Sequence, residues 1–402
     1  LGDVYKRQLL ERIHMVRIKK YVAAFVMSLP CISFANMQEL GRKLDNTYIT
    51  TPNGTCGAYT ALARPIINSC NECCGSNWFA GASLLYWNAV SCESNYAYRR
   101  TPPGVGPSIK ATAHDVHFDW NFGYKILLGY NLAHDGWETS LLYTNFSVIG
   151  CDKMAVSGCD PTTSISQGAV VPAFGSASVV GDGTGDAFAY SLEACSKKKL
   201  ILRTLIWDLA RDFFVSDCLS IRPCTGLLAV WCDTKQCTHY SGGDPVPAGD
   251  ATVLGLGENA IGIRSISRFR GIGPMFGLGL SWYMGCSMHL FTDLSTTVLC
   301  GKFKLSERTK YNGDAVPSGI SLKTSFRKFC SMTKAQMGIA RKWYCNDDQN
   351  HVMTKLYFEV QQWQKLSYAF NWGTGSSPFQ RIQRIGNDVG IMGIGFDVRI
   401  DF

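Results

Sequence analysis

The sequence predicts an all-β fold, a transmembrane antiparallel β-barrel with long external loops and short periplasmic turns. Many segments alternate apolar residues with small or polar ones, as strands do when their two faces meet different surroundings. The 402 residues include 40 Gly, 10 Trp, 17 Tyr and 21 Phe but only 17% charged residues, a composition that suits a sheet in a membrane. No apolar stretch reaches the roughly 18 residues that a membrane-spanning helix needs.

The N-terminal region predicts export. Residues 1–14 precede Met15, and we interpret them as spurious upstream translation. Residues 15–35 show the signal-peptide pattern of a basic start, a short apolar stretch and a small-x-small cleavage motif. We expect residues 36–76 to form a Cys-containing periplasmic segment and residues 77–402 to form the barrel.

Ten strands are predicted from period-two runs separated by turn residues. They cover 78–90, 118–130, 137–149, 199–211, 218–231, 272–284, 287–303, 333–344, 352–364 and 391–402. Short and long connections alternate, so both chain ends should lie on the side of the short, periplasmic turns. The longest connections could hide further strand pairs, which leaves 12–16 strands as an alternative.

The last strand has the clearest alternation. Its apolar residues share one face, and we interpret them as an assembly signal: Phe396, Val398, Ile400 and Phe402. Outer-membrane barrels commonly finish on such a strand with a terminal Phe. On this segment alone, the edge strand of a soluble sandwich is an alternative.

Two further strands predict which residues face lipid. In 352–364 the lipid-facing residues are Val352, Leu356, Phe358 and Val360, opposite Lys355, Tyr357, Glu359 and Gln361. In 287–303 they are Met288, Leu290, Leu294 and Val298, opposite His289, Asp293, Ser295 and Thr297. The polar faces predict a water-containing interior. Four tryptophans near predicted strand ends are candidates for the interfacial girdles: Trp78, Trp87, Trp120 and Trp137.

Cysteine is abundant, with 17 residues, and in an exported chain this predicts disulfides. The candidates are Cys56, Cys70, Cys73, Cys74, Cys92, Cys151, Cys159, Cys218, Cys237, Cys286, Cys330 and Cys345. The cluster Cys70-x-x-Cys73-Cys74 could instead supply zinc ligands, but no His pair lies at finger spacing. Adjacent Cys73 and Cys74 should each have a distant or intermolecular partner.

The segment 302–330 is strongly basic, and we expect it to be mainly a loop. Its cations are Lys302, Lys304, Arg308, Lys310, Lys323, Arg327 and Lys328. Folded into the barrel, they would favour anions in a pore. Projecting outward, they would meet lipid phosphates or solvent.

No enzyme and no cofactor are predicted. The two His/Asp pairs, His114-Asp115 and His134-Asp135, lie at opposite ends of one predicted strand, about 60 Å apart if it were extended. Neither a Gly-x-Ser-x-Gly nor a His-Glu-x-x-His motif is present.

Four blocks resemble the major outer-membrane-protein family of Legionella and of Chlamydia-related bacteria. They are WFAGASLLYWNA at 78–89, FDWNFGY to HDGW at 118–137, LSIRP to GL at 219–227, and GIGP to WY at 271–283. The resemblance implies a porin-like outer-membrane barrel that passes small hydrophilic solutes, without catalytic residues. Nucleic-acid partners are not expected on a separate ground, because removal of residues 1–35 leaves about half of the formal net charge of +8. It also implies contact with outer-membrane lipids, possible homo-oligomers and disulfide-linked envelope proteins. The cysteine count departs from the Legionella side of the family and resembles the Chlamydia-related side. The alternative is a structural or adhesive barrel with little or no open pore.

Overall fold

The structure is a computed structural model of the chain. It describes residues 64–65, 77–91, 94–101, 110–132, 136–155, 170–173, 191–216, 218–242, 260–285, 287–312, 321–345, 350–372 and 382–402. These residues belong to one compact unit, Thr60–Phe402. The predictions for residues 1–35 and for nearly all of 36–76 lie outside the described residues.

Every regular element of the described residues is a β-strand. The strands are β1 (Arg64–Pro65), β2 (Asn77–Ser91), β3 (Asn95–Thr101), β4 (Lys110–Asp115), β5 (Asn121–Asn131), β6 (Trp137–Ala155), β7 (Val170–Pro172), β8 (Glu193–Arg211), β9 (Phe213–Ser216), β10 (Leu219–Ser241), β11 (Ala260–Gly285), β12 (Met288–Asn312), β13 (Ser321–Cys345), β14 (Asn350–Trp372) and β15 (Ile382–Asp401). In this part of the chain no helix is long and apolar enough to cross a membrane.

Ten of the described strands close into an antiparallel barrel. The order is β2-β5-β6-β8-β10-β11-β12-β13-β14-β15, and β15 pairs with β2. These ten strands are the predicted ten, so the predicted fold class is confirmed. The short β1 pairs with β9, which lies in the link between β8 and β10.

The pairing register fixes the width of the barrel. Paired residues followed once around the ring from Phe79 on β2 lead back to Ser91 on the same strand, a displacement of twelve residues. Ten strands with this stagger tilt by about 40° and give a backbone radius of about 10 Å. Such a barrel is only slightly wider than the eight-stranded barrels that side chains fill completely.

Most strands are longer than predicted, mainly at their loop ends, whereas β5 begins at Asn121 rather than at 118. β11 begins at Ala260 rather than at 272, and β13 begins at Ser321 rather than at 333. At the ends near the short turns, the predicted and observed strand limits agree within a few residues. Beyond the lipid the outer face no longer has to be apolar, so the alternation that predicts a strand fades while the backbone ladder continues.

The predicted facing of β12 and β14 is confirmed, with Val298, Leu356 and Phe358 among the exposed apolar residues and Thr297 and Glu359 buried inside. Trp78 and Trp120 are exposed on the outer surface, as girdle residues should be, and Trp137 is partly buried. The girdle prediction for Trp87 is wrong. Trp87 has the opposite parity to Trp78 on β2, so its ring lies inside the barrel, fully buried.

The long connections form a second, small sheet of β4, β3 and β7 at the loop end. It packs its apolar side chains against inward-facing residues of the barrel wall. This cluster contains Tyr96, Ala97, Val116, Met154, Val170, Ala194, Tyr240, Ile261 and Ile263. The Tyr96 hydroxyl donates a hydrogen bond to Asp152 Oδ2 at 3.0 Å, and burial together with this carboxylate raises the pKa of Tyr96. Loop segments therefore occupy part of the barrel mouth.

Candidate functional site

The barrel lumen is the candidate site, because alternation directs every second residue of ten strands into it. Its side chains change character along the barrel axis. We distinguish a basal charge network near the short turns, a central ion pair, and an apolar layer towards the long loops.

The basal charge network consists of Glu138, Asp212, Arg222, Arg399 and Asp401. Glu138 lies between two guanidinium groups, with Oε1 2.8 Å from Arg222 Nη2 and 3.1 Å from Arg399 Nη1. Arg399 Nε also contacts Asp401 Oδ1 at 2.6 Å, and Arg222 Nε lies 3.8 Å from Asp212 Oδ1. Charge-assisted bonds of this kind join β6, β10 and β15 across the turn end of the lumen.

The central ion pair joins Lys125 on β5 to Glu359 on β14. Lys125 Nζ lies 2.6 Å from Glu359 Oε2, and both side chains are almost fully buried. The ammonium also donates to the Tyr357 hydroxyl at 3.0 Å, and Gln361 Nε2 donates to Glu359 Oε1 at 2.6 Å. Two buried charges are tolerable here because each has its opposite charge and further hydrogen-bond partners.

A cavity of about 20 Å³ lies beside the central ion pair. This is room for about one water molecule. Its polar lining consists of Lys125, Thr144, Thr204, Lys334, Glu359 and Gln361. Its apolar lining consists of Leu142, Ile206, Leu228, Met332 and Trp363. The centre of the lumen is therefore mixed in polarity and narrow.

The apolar layer closes the lumen above this cavity. Its large members are Trp87, Phe146, Phe269, Phe303, Phe326, Trp363 and Tyr368. The Phe303 ring centroid lies 4.5 Å from that of Phe269, 5.3 Å from Phe326 and 4.7 Å from Tyr368. The expectation of a polar interior thus holds near the turns and is wrong at the level of these rings. Further towards the loops, inward-facing side chains are again polar, among them Gln236, Glu307 and Thr309.

Glycines in the wall make room for these rings. Gly271 and Gly301 are register partners on β11 and β12, and the Phe269 ring lies across both. A Cβ on Gly301 would lie 2.2 Å from Phe269 Cε2, far inside contact distance. The glycine content of the sequence therefore has a local cause here, the packing of a large ring against bare backbone.

The predicted basic residues lie on strands and not in a loop. Lys302, Lys304, Arg308 and Lys310 are on β12, and Lys323, Arg327 and Lys328 are on β13. All but Lys328 share the outward parity of lipid-facing residues on their strands. Lys328 alone has inward parity, with its Nζ 5.3 Å from the Tyr368 ring centroid. The prediction of a basic loop is wrong, because the strands continue through most of 302–330.

The described cysteines lie on both faces of the wall. Cys151 and Cys237 have outward parity, and Cys330 is buried in the apolar layer. Cys218 is exposed just before β10, and Cys345 ends β13. The candidates at 56, 70, 73, 74, 92, 159 and 286 lie outside the described residues. Disulfide pairing stays a prediction.

The last strand completes the barrel. Phe396, Ile400 and Phe402 are exposed on its outer face, and Val398 lies between them, partly buried. The Phe402 amide donates a hydrogen bond to the Trp78 carbonyl oxygen at 3.0 Å, which extends the β15–β2 seam to its end. These residues are placed as an outward apolar stripe, and their role in assembly stays a prediction.

Sequence reasoning did not identify the central ion pair or the basal charge network. Their members are far apart in the chain: Lys125 and Glu359 are separated by 234 positions. The available signal was a lone charge at an inward position of an otherwise apolar strand, as Lys125 is within 121–131. Such a charge predicts a buried partner without saying which residue it is.

A closed antiparallel barrel with an outward apolar surface and aromatic girdles defines the class of outer-membrane β-barrel proteins. Within that class the chain belongs to a specific family. Residues 71–402 match the model of the Legionella pneumophila major outer membrane protein precursor family. The protein is therefore a bacterial outer-membrane protein, and the predicted family resemblance is confirmed.

Comparison with curated proteins gives no significant match. Among solved structures, the outer membrane protease OmpT from Escherichia coli is similar at 12% identity and a TM-score of 0.29, covering 83% of this chain and 99% of that one. A Pseudomonas aeruginosa FadL homologue is similar at 7% identity and a TM-score of 0.25, covering 82% and 90%. A deletion mutant of the TodX monoaromatic hydrocarbon channel is similar at 10% identity and a TM-score of 0.25, covering 81% of this chain and 90% of that one.

Proposed function

We propose that this barrel passes small hydrophilic solutes passively across the outer membrane, through a lumen that the apolar layer keeps narrow. The observation that carries the proposal is the set of polar side chains that line the central cavity beside five apolar ones: Lys125, Thr144, Thr204, Lys334, Glu359 and Gln361. A barrel core built only for stability could be apolar, since burying charges costs free energy. Polar groups that converge on the axis instead suit a path for water and solutes.

The apolar layer acts as the gate of this path. A backbone radius of about 10 Å leaves little free space once ring side chains project from both walls. Phe303 contacts three other rings and is fully buried, so a solute passes only when the stack moves. Apolar constrictions of this kind exclude water and ions until they widen.

Strong anion selectivity is not part of the proposal. Six of the seven predicted basic residues have outward parity, so they do not line the path. Lys125 and Lys334 face the single carboxylate of Glu359 at the central cavity, whereas the basal charge network contains three carboxylates against two guanidinium groups. Neither sign of charge therefore dominates along the whole path. We expect neutral solutes and small ions of either sign to pass at similar rates.

Planar-bilayer conductance of the refolded barrel tests the proposal. The double variant Phe269→Ala, Phe303→Ala removes two rings of the gate and should raise conductance at least about threefold, since it widens the constriction. The matched control is Phe276→Ala, Phe329→Ala, which removes two exposed outward rings from β11 and β13. It should leave conductance unchanged. Absence of conductance in both the wild type and the folded gate variant would refute the pore.

A structural role in a cross-linked envelope is the second candidate, and exposed thiols favour it. Cys151 and Cys237 are both register partners of Lys197, so two strand spacings of about 4.8 Å separate them. Their Cα atoms are too far apart for a disulfide, and Cys195 lies only diagonally to each. All three have outward parity, so their partners would be cysteines of neighbouring molecules.

Non-reducing gels of native membranes test this second role. The wild type should give a ladder of oligomers that disappears in the variant Cys151→Ser, Cys195→Ser, Cys237→Ser. The control variant Cys232→Ser, Cys330→Ser removes two buried thiols and should keep the ladder. A ladder that persists without these three outward-facing thiols would exclude them as the cross-linking sites.

A further inference from the structure

Three cations form a row on the outer surface of the barrel. Arg270 on β11 is the register partner of Lys302 on β12, and Lys302 is also the register partner of Arg327 on β13. All three side chains are exposed. Direct cross-strand neighbours have Cβ atoms about 5 Å apart, where like charges repel. An anion bound on the row would relieve this repulsion.

The cation row lies where the lipid-facing surface ends. Each cation has an outward neighbour two positions closer to the turns on its own strand. These neighbours are Ile272, Cys300 and Phe329, and all three are exposed. Val298 follows below Cys300 and is also exposed. Since charged residues do not face hydrocarbon, the row marks the depth of the lipid headgroups. The long loops begin beyond it, so this is the external leaflet.

An external groove of about 490 Å³ runs along this boundary. Its lining includes all three cations together with Trp231, Ile272 and Cys300. The groove therefore has a basic edge towards the loops and an apolar edge towards the membrane. This is the arrangement that an acylated, phosphorylated molecule requires.

The local charge is only partly compensated within the protein. Asp233 Oδ1 lies 3.0 Å from Arg270 Nη2. Among the described residues no carboxylate pairs with Lys302 or Arg327. Lys304 and Arg268 are a further basic register pair two residues closer to the loops. At about the same height, the surfaces of β14 and β2 present the uncharged Gln364 and Val90, so the patch is confined to one side.

We propose that the cation row binds a phosphate of the phosphorylated glycolipid of the outer leaflet, a lipid A type molecule. The guanidinium groups of Arg270 and Arg327 can each donate two parallel hydrogen bonds to phosphate oxygens, and Lys302 supplies a point charge between them. The acyl chains lie along Ile272, Val298 and Phe329. A glycerophospholipid of the inner leaflet would not reach this height, and free phosphate would lack the apolar contacts.

Binding of fluorescent lipid A to the detergent-solubilised full chain tests the site. The site variant is Arg270→Gln, Lys302→Gln, Arg327→Gln. The matched control removes the same charge from the same outer faces of β11, β12 and β13: Arg264→Gln, Arg308→Gln, Lys323→Gln. These control residues lie four to six positions further towards the loops, roughly 10–15 Å beyond the row. Heat-modified mobility in gels checks that both variants are folded.

The site variant should bind lipid A about 100-fold more weakly, because each cation near a phosphate surface contributes about a factor of five to ten. The control should change affinity less than threefold. Dephosphorylated lipid A should bind the wild type as weakly as lipid A binds the site variant, and phosphatidylglycerol and inorganic phosphate should compete poorly. Equal loss in both variants, no loss in either, or equally tight phosphatidylglycerol binding would each overturn the proposal.

Discussion

The half of the lumen near the turns and the half towards the loops are filled by different kinds of side chain. Near the turns, the basal charge network contains four ion pairs, and the two that Glu138 forms join β6 to β10 and β15. Towards the loops, the apolar layer fills the same cross-section with aromatic rings and matched glycines. The outer surface faces lipid along the turn half and up to the level of the apolar layer, where Arg270, Lys302 and Arg327 mark the end of the lipid-facing surface. Contact with lipid therefore restricts only the outward residues to apolar types, whereas the inward residues can be polar or apolar as the function of the lumen requires.

The largest effect on the free energy of unfolding is expected at the central ion pair, which lies between the two halves. Lys125→Met leaves Glu359 buried without its counter-charge and should lower the free energy of unfolding by about 3–5 kcal/mol. The double variant Lys125→Met, Glu359→Met should recover most of this loss, since no unpaired charge remains. Urea titration of the refolded barrel, followed by tryptophan fluorescence, measures both values.

The matched control for this pair is Lys153–Glu193, an ion pair whose side chains are exposed on neighbouring strands. Lys153→Met should leave the free energy of unfolding almost unchanged, because solvent screens the lost interaction. If Lys125→Met were equally harmless, the central pair would be exposed to water, and the lumen would be more open than the structure indicates.

The sequence predicted one face of the wall far better than the other. Lipid imposes a simple rule on the outward face, so Val298, Leu356 and Phe358 could be assigned from period-two alternation alone. The inward face follows no such rule. Phe303 packs on Phe326 and Tyr368 through pairings that alternation does not encode. The predicted loop ends of the strands were wrong for a related reason. The backbone hydrogen bonding between strands continues past the lipid, where the alternation of apolar and polar residues weakens.

The apolar half is tested next, through the glycine contact of Phe269. Gly301→Ala should lower the free energy of unfolding by about 1–3 kcal/mol, because the new methyl group displaces a buried ring. Gly390→Ala on β15 is the control, since the nearest atom to its Cβ would be Gln362 Oε1 at an ordinary 3.5 Å. The same urea titration compares them. Equal stability of the two variants would mean that the Phe269 ring does not lie against the wall.

A smaller effect on the free energy of unfolding is expected from replacing cysteines, one on the inner face of the wall and one on the outer face. Cys330 is buried in the apolar layer and Cys300 is exposed outside. Cys330→Ser should lower the free energy of unfolding by about 1 kcal/mol, because it buries a hydroxyl among apolar groups. Cys300→Ser should change it by less than about 0.5 kcal/mol. In membranes, a lipid-soluble maleimide should label Cys300 and leave Cys330 unmodified. Labelling of Cys330 in the folded barrel would contradict the closed layer.

The smallest equilibrium effect is expected at Phe402, whose role is predicted to be in assembly. Phe402→Ala keeps the backbone hydrogen bond to Trp78, so the unfolding free energy of the refolded barrel should fall by less than about 1 kcal/mol. Phe276→Ala is a close control, because both rings face outward and are 59% exposed. If Phe402 is part of an assembly signal, the two variants should refold alike in detergent, and only Phe402→Ala should insert poorly in cells. Normal insertion of both would leave Phe402 an ordinary lipid-facing residue, because burial alone cannot distinguish the two rings.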